Sequence, residues 1–297
     1  MEGRCENEFS RLRGLLDDFM AGYFSAKQGI PPLLREAMEY SLMAGGKRIR
    51  PILLFCAGKA VGGEEAELLP FACAVEFIHT YSLIHDDLPA MDDDDFRRGK
   101  PTSHKVYGEG LAVLAGDALL TEAFRIMAES RMASGDPGKA VRAIADIARA
   151  SGAQGMVGGQ QMDLAAEKNN APDVRAEEIA LRKTAALLAS CARMGGILGG
   201  GDESQIAALG KFGIRLGLLF QITDDILDET ACFEEMGKGT AKDRARGKRT
   251  YIVDHGLENA RKRVDALGLE ALKSIAAFDA RANPLRELLY MAQSRRS

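Results

Sequence analysis

The sequence predicts an all-α protein, a single large helical bundle of about ten or more helices in one domain over residues 1–297. Three observations predict it. Apolar residues recur at spacings of three and four, as at Phe71, Val75 and Ile78, and again at Ile179, Leu187 and Leu188. No run of alternating β-branched residues stands between Asn-Gly or Asp-Gly turns. Turn signals instead separate helical stretches of about 15 to 30 residues.

The N-terminal MEGRCENEFSRLRGLLDDFM is acidic and amphipathic and lacks the apolar stretch of a signal peptide. Breaks follow at Pro31-Pro32, Gly62-Gly63, Gly135-Asp136-Pro137, Gly199-Gly200-Gly201 and residues 234–249. No fixed-period repeat argues for a solenoid. No stretch approaches the roughly 20 apolar residues of a membrane span. The net charge is −4, from 39 basic and 43 acidic residues, so no global basic field would attract nucleic acid or anionic lipid. An anionic ligand must therefore be held by local Lys and Arg clusters. The five cysteines are odd in number and dispersed, without a CxxC pair, which fits a reducing, cytoplasmic setting better than disulfides or zinc.

Six carboxylates occupy the ten positions from Asp86 to Asp95, after a helix rich in apolar residues. Pro89 should end that helix near Leu88. Asp86 and Asp87 then sit at a helix C-terminus, where the macrodipole disfavours negative charge. Asp92 lies six residues past Asp86, and a turn over Leu88–Met91 could return it to Asp86. Such a cluster calls for hard divalent ions, which prefer oxygen ligands and bridge to phosphate. A solvated acidic loop is the plainer alternative, weakened by Arg97-Arg98 directly after it, two guanidiniums suited to phosphate.

A second cluster lies in Phe220-Gln221-Ile222-Thr223-Asp224-Asp225-Ile226-Leu227-Asp228. Spacings of three and four put Gln221, Asp224, Asp225 and Asp228 on one helical face. No Lys or Arg interrupts residues 216–230, as a solvated outer face would show. This reads as a second metal platform facing a cavity. The Gly237-to-Thr250 stretch beyond it, with Lys238 and Lys248, is a glycine-punctuated basic loop suited to cover phosphate.

Gly45-Gly46-Lys47-Arg48-Ile49-Arg50 puts two glycines before three cations, suited to a diphosphate but unlike a P-loop. His79, seven residues before Asp86, shares nearly the same helical face. Gly152 to Asp163 looks helical, its small residues allowing close approach of a helix or ligand tail. Arg182-Lys183-Thr184 reads as a short basic turn. Two carboxylate platforms, several cationic clusters and an apolar scaffold suggest a large apolar ligand with a diphosphate head.

The chain resembles the trans-isoprenyl diphosphate synthases over nearly its whole length. The motifs run GGKRIRP, DDLPAMD with FRRG, GMVGGQQMDL, KT, FQITDDILD and a GK…KD…K loop. The resemblance is nearest to bacterial farnesyl diphosphate synthases, and implies the isoprenoid synthase bundle around a deep apolar cavity. It implies Mg²⁺ held by Asp86 and Asp92, with Asp87 in support, and by Asp224, supported by Asp225, Asp228 and Gln221. Several ions per site are expected, replaceable by Mn²⁺. Arg97, Lys183 with Thr184, Lys238 and Lys248 would hold the allylic diphosphate. Gly46, Lys47, Arg50, His79 and Arg98 would hold isopentenyl diphosphate. Ionisation, condensation and elimination would carry C5 to C10 to C15, in a homodimer.

Tyr81 and Ser82, five and four residues before Asp86, are the positions that cap the growing tail in this family. A bulky Tyr81 favours stopping at C15, and geranylgeranyl diphosphate is the runner-up product. The chain departs from the pattern at Ala185, Ala241 and Ile252, where the family usually has Gly, Gly and Pro. A terpene cyclase would not need the second diphosphate pocket of GGKRIRP. A non-catalytic partner subunit would show one acidic motif eroded, and both are whole.

Overall fold

A computed structural model describes residues 2–167, 174–235 and 249–294. Helix α1 (Glu2–Ala26) buries Phe9, Leu12, Leu16, Met20 and Phe24, one stripe at helical spacing. Helix α2 (Pro32–Leu42) starts on Pro32, where a missing N–H costs nothing. Helix α3 (Ile49–Ala60) follows, entered through Arg48 in the left-handed conformation at φ 49°. Helix α4 (Glu65–Asp86) is apolar on all sides and runs through the core.

A two-residue hairpin interrupts the helices, β1 (Phe96–Arg97) pairing antiparallel with β2 (Lys100–Pro101). No strand signal was legible there, because two residues carry no alternation. Helices α5 (Ser103–Tyr107), α6 (Glu109–Ala128), α7 (Arg131–Gly135) and α8 (Pro137–Ser151) come next. Asp136 caps α8, its carboxylate accepting from Lys139 N–H at 3.1 Å, with Pro137 behind it.

Helix α9 (Met156–Glu167) precedes α10 (Ala176–Ala180), a π-helical turn (Leu181–Ala185) and α11 (Ala186–Leu198). The expected basic turn at Arg182–Thr184 is thus a helix widened by one residue, continuous on both sides. Helix α12 (Glu203–Glu235), α13 (Tyr251–His255), α14 (Leu257–Ser274), a 3₁₀ turn (Ala280–Ala282) and α15 (Asn283–Gln293) complete the described chain.

Helix α11 lies between α3 and α12, α4 packs on α3 and α6, and α14 backs α12. Their buried apolar side chains form one contiguous cluster. Two helices, Glu65–Asp86 and Glu203–Thr230, are long and apolar enough to cross a membrane, which corrects the expectation that no stretch is. Most of each is buried inside the bundle, where apolar length serves the core.

Arg48 and Glu76 are almost completely buried and paired at 2.7 Å, with Arg48 also donating to Leu42 O at 2.8 Å. The pair joins the α2–α3 turn to mid-α4. Glu76→Ala should lower the free energy of unfolding by about 3 kcal/mol, since it strands a buried guanidinium. Urea denaturation measures this, and a loss under about 1 kcal/mol would show that Asp17, 3.1 Å from Arg48, suffices.

Candidate active site

The first wall is the end of α4. The chain turns at Pro89, with Leu88 N–H donating to His85 O at 3.2 Å and Met91 N–H to Leu88 O at 2.9 Å. Asp92 N–H then donates to Asp86 O at 2.8 Å, so the turn sets Asp92 beside Asp86. Burial raises the Asp86 carboxyl to about 6, opposed by Lys183 and reinforced by the Asp92 charge.

Asp87, beside Asp86, is paired within the protein. Its buried carboxylate is gripped by Arg97, whose Nε donates to both oxygens at 2.7 and 2.9 Å. Burial raises its carboxyl, against the pull of Arg97. Arg97 therefore reaches the cavity as a guanidinium already anchored on one side.

The second wall is α12. Asp224, Asp228 and Gln221 line the same cavity as Asp86 and Asp92. Asp225 does not share this placement, because one residue past Asp224 is about 100° round the helix. It accepts from Gln221 Nε2 at 3.1 Å and from the Tyr251 backbone N–H at 2.8 Å. Thr184 Oγ1 donates to Gln221 Oε1 at 2.9 Å. The row Thr184–Gln221–Asp225–Tyr251 thus ties the π turn to α12 and to the start of α13.

The Gly45–Arg50 segment distinguishes its cations by partner. Lys47, Arg48 and Arg50 all border the cavity, and of the three Arg48 is paired with the buried Glu76. Arg50 Nη1 lies 3.0 Å from His79 Nε2. Burial and the neighbouring Arg50 charge hold His79 well below its ordinary pKa, so it stands neutral. Arg98 donates to Gly45 O, and its guanidinium covers Gly46 so closely that a Cβ there would meet it at 2.6 Å. That contact gives the glycine pair a packing reason besides any phosphate cradle.

Lys183 pairs with the buried Asp163 of α9 at 2.7 Å. Sequence reasoning missed Asp163. Its one available signal was a lone carboxylate in the small, apolar GMVGGQQMDL stretch. The glycines there work as helix contacts: a Cβ on Gly159 would lie 2.2 Å from Lys183 N, pressing α9 against the π turn. The Ala185 departure is likewise accommodated, because its Cβ lies 2.7 Å from the place a Cβ on Gly217 of α12 would take. Lys238, Lys248 and the Ala241 departure lie outside the described residues.

These walls enclose a polar chamber of about 830 Å³, which Gly46 also lines. An apolar cavity of about 580 Å³ adjoins it, sharing Arg50, His79, Leu83, Asp86 and Thr184. Tyr81, Ser82 and His85 of α4, Met91, and Met156, Gln160 and Leu164 of α9 line the apolar part. Tyr81 and Ser82 both line it, although a helical wheel places Ser82 and not Tyr81 below Asp86, and the Tyr81 ring stands edge-on to His85.

The family profile described as Polyprenyl synthetase matches residues 31–282. Geranylgeranyl pyrophosphate synthase 9, chloroplastic, of Arabidopsis thaliana is 51% identical over 259 residues, 86% of this chain and 72% of its own. The heterodimeric geranylgeranyl pyrophosphate synthase large subunit 1, chloroplastic, of the same plant is 50% identical over 253 residues, 84% and 68% of the two chains. The crystal structure of an FPP/GFPP synthase from Zymomonas mobilis superposes with a TM-score of 0.87 at 34% identity, covering 98% of this chain and all of its own. This chain belongs to the polyprenyl synthetase family. It is a trans-prenyl diphosphate synthase, a prenyltransferase of the head-to-tail kind.

Asp163→Ala should lower kcat on the order of ten- to a hundredfold, by releasing Lys183 from its position. Steady-state kinetics with a circular-dichroism check of folding would measure it, and unchanged kcat would deny Asp163 a positioning part.

Proposed function

We propose that this chain condenses isopentenyl diphosphate with dimethylallyl and then geranyl diphosphate, releasing farnesyl diphosphate. One observation carries the reading. A polar chamber with carboxylates on two facing walls and cations between them adjoins an apolar cavity bounded by Tyr81.

The donor set suits Mg²⁺, with Asp86 and Asp92 on one wall and Asp224 and Asp228 on the other. Among the described residues no group of three or more His, Cys, Asp or Glu side chains is gathered closely enough to hold an ion alone. Mg²⁺ is commonly held by one or two carboxylates and completed by substrate phosphate and water. When bound, Mg²⁺ neutralises charge on the departing diphosphate. Arg97 and Lys183, each already braced by a carboxylate, present fixed cations to the allylic diphosphate as its C–O bond breaks. Lys47, Arg50, Arg98 and neutral His79 hold isopentenyl diphosphate with its double bond toward the allylic carbon. The new C–C bond leaves a cation that loses a proton, for which the freed diphosphate is the nearest base.

Tyr81 supports C15 as the stopping point, being 6% exposed and set on the cavity wall. The names of the Arabidopsis relatives favour the second reading, a C20 product. A cytoplasmic enzyme acting as a homodimer completes the proposal. Val113 and Leu114, exposed on α6, suit a partner surface, and one relative is named as a heterodimer subunit.

Mass spectrometry of products from isopentenyl diphosphate with each of three primers, dimethylallyl, geranyl and farnesyl diphosphate, under Mg²⁺ or EDTA, tests the reading. Metal-dependent C15 is expected; C20 would correct the product, and absent elongation would overturn the reading. Asp86→Ala or Asp224→Ala should lower kcat by orders of magnitude, and near-normal turnover would remove either from the metal platform. Protons compete with cations for Asp86, whose charged form is lost as pH falls through about 6. The Mg²⁺ concentration for half-maximal turnover should therefore rise severalfold between about pH 7.5 and about pH 5.5. A constant value would exclude Asp86 as the titrating ligand.

A further inference from the structure

We infer that His85, seated against Gly116 of α6, forms with Tyr81 the wall that sets how long a prenyl tail the apolar cavity accepts. The inference rests on the prenyl-transfer reading and extends it to two residues beyond the aspartate motifs. Helix side chains tilt toward the N-terminus, so the His85 ring leans away from Asp86 and toward Tyr81. The two rings meet edge-on, centroids 5.7 Å apart at 82°. Both line the apolar cavity, which α4 borders together with α9.

The ring stands there because α6 has room for it. His85 Nε2 lies 3.0 Å from Val113 O, a bond that makes this nitrogen the donor. A Cβ built on Gly116 would lie 2.3 Å from Nε2 and 2.6 Å from Cδ2. Any larger residue at 116 therefore expels the ring from the α4–α6 seam, and the cavity it already borders is the space beside it. Tyr81 loses or keeps its edge partner with the same movement. Gly116 thus acts on tail length through the histidine and not by touching the tail.

Three variants test this: Gly116→Ala, His85→Ala and the double variant. Gly116→Ala should shift the product distribution at least one five-carbon unit shorter than wild type, and His85→Ala at least one unit longer. The double variant should follow His85→Ala, because without the ring the added methyl has nothing to displace. Calorimetry with unreactive geranyl, farnesyl and geranylgeranyl thiodiphosphates reads the same wall without turnover. The ratio of long- to short-tail affinity should fall on the order of tenfold in Gly116→Ala and rise in His85→Ala. Unchanged product lengths and affinity ratios in both single variants would overturn the inference. So would a double variant as short as Gly116→Ala, which would assign the effect to the methyl itself. A wild type that ranks the thiodiphosphates by tail length yet elongates no primer would fault the prenyl-transfer reading and leave the wall testable by affinity.

Discussion

Asp86 and Asp87 stand at the C-terminal end of α4, where the helix macrodipole is itself negative and burial withholds water from both carboxylates. The head chamber is arranged around that unfavourable placement. Arg97 clamps Asp87, Lys183 reaches toward Asp86, and the returning turn adds Asp92 to the repulsion. A chamber held in this state gains most when cations and diphosphate arrive together. That is the condition under which an allylic C–O bond should ionise.

Much of the charge around the chamber is engaged inside the protein. Asp87 holds Arg97, Asp163 holds Lys183, Glu76 holds Arg48, and Asp225 holds the Tyr251 N–H. These pairs fix the walls from behind, so that the groups facing the chamber are presented on rigid elements. The apolar cavity meets the chamber across Arg50, His79, Leu83, Asp86 and Thr184. Leaving-group chemistry and tail measurement are therefore adjacent and separately built. Residues of α4 border the chamber together with α12 and the Gly46–Arg50 segment, and border the apolar cavity together with α9.

Periodicity exposed the bundle, because helices with a buried stripe repeat every three or four residues. It could not expose the hairpin at Phe96–Pro101, too short to alternate, or the π turn at Leu181–Ala185, whose extra residue leaves no compositional mark. Both acidic platforms were legible as clusters of like charge that a bare helix would not tolerate. Which carboxylate in each faces the cavity was not, since Asp86 and Asp87, like Asp224 and Asp225, differ by a single step around a helix. Asp163 was hidden for another reason: one carboxylate among small residues has no pattern, and its partner Lys183 is twenty positions away.

By itself the sequence determined the helical class, the two carboxylate platforms, the cationic segments and, through their order, the family resemblance. These are local properties, set by spacing along one chain. Only the tertiary structure decided which charges pair with one another and which face a ligand. It also decided that Ala185 fits because Gly217 yields space, and that Tyr81 lines the cavity edge-on to His85. Each of those outcomes depends on the rotation of one helix against another, and that angle is set by packing between residues distant in the chain.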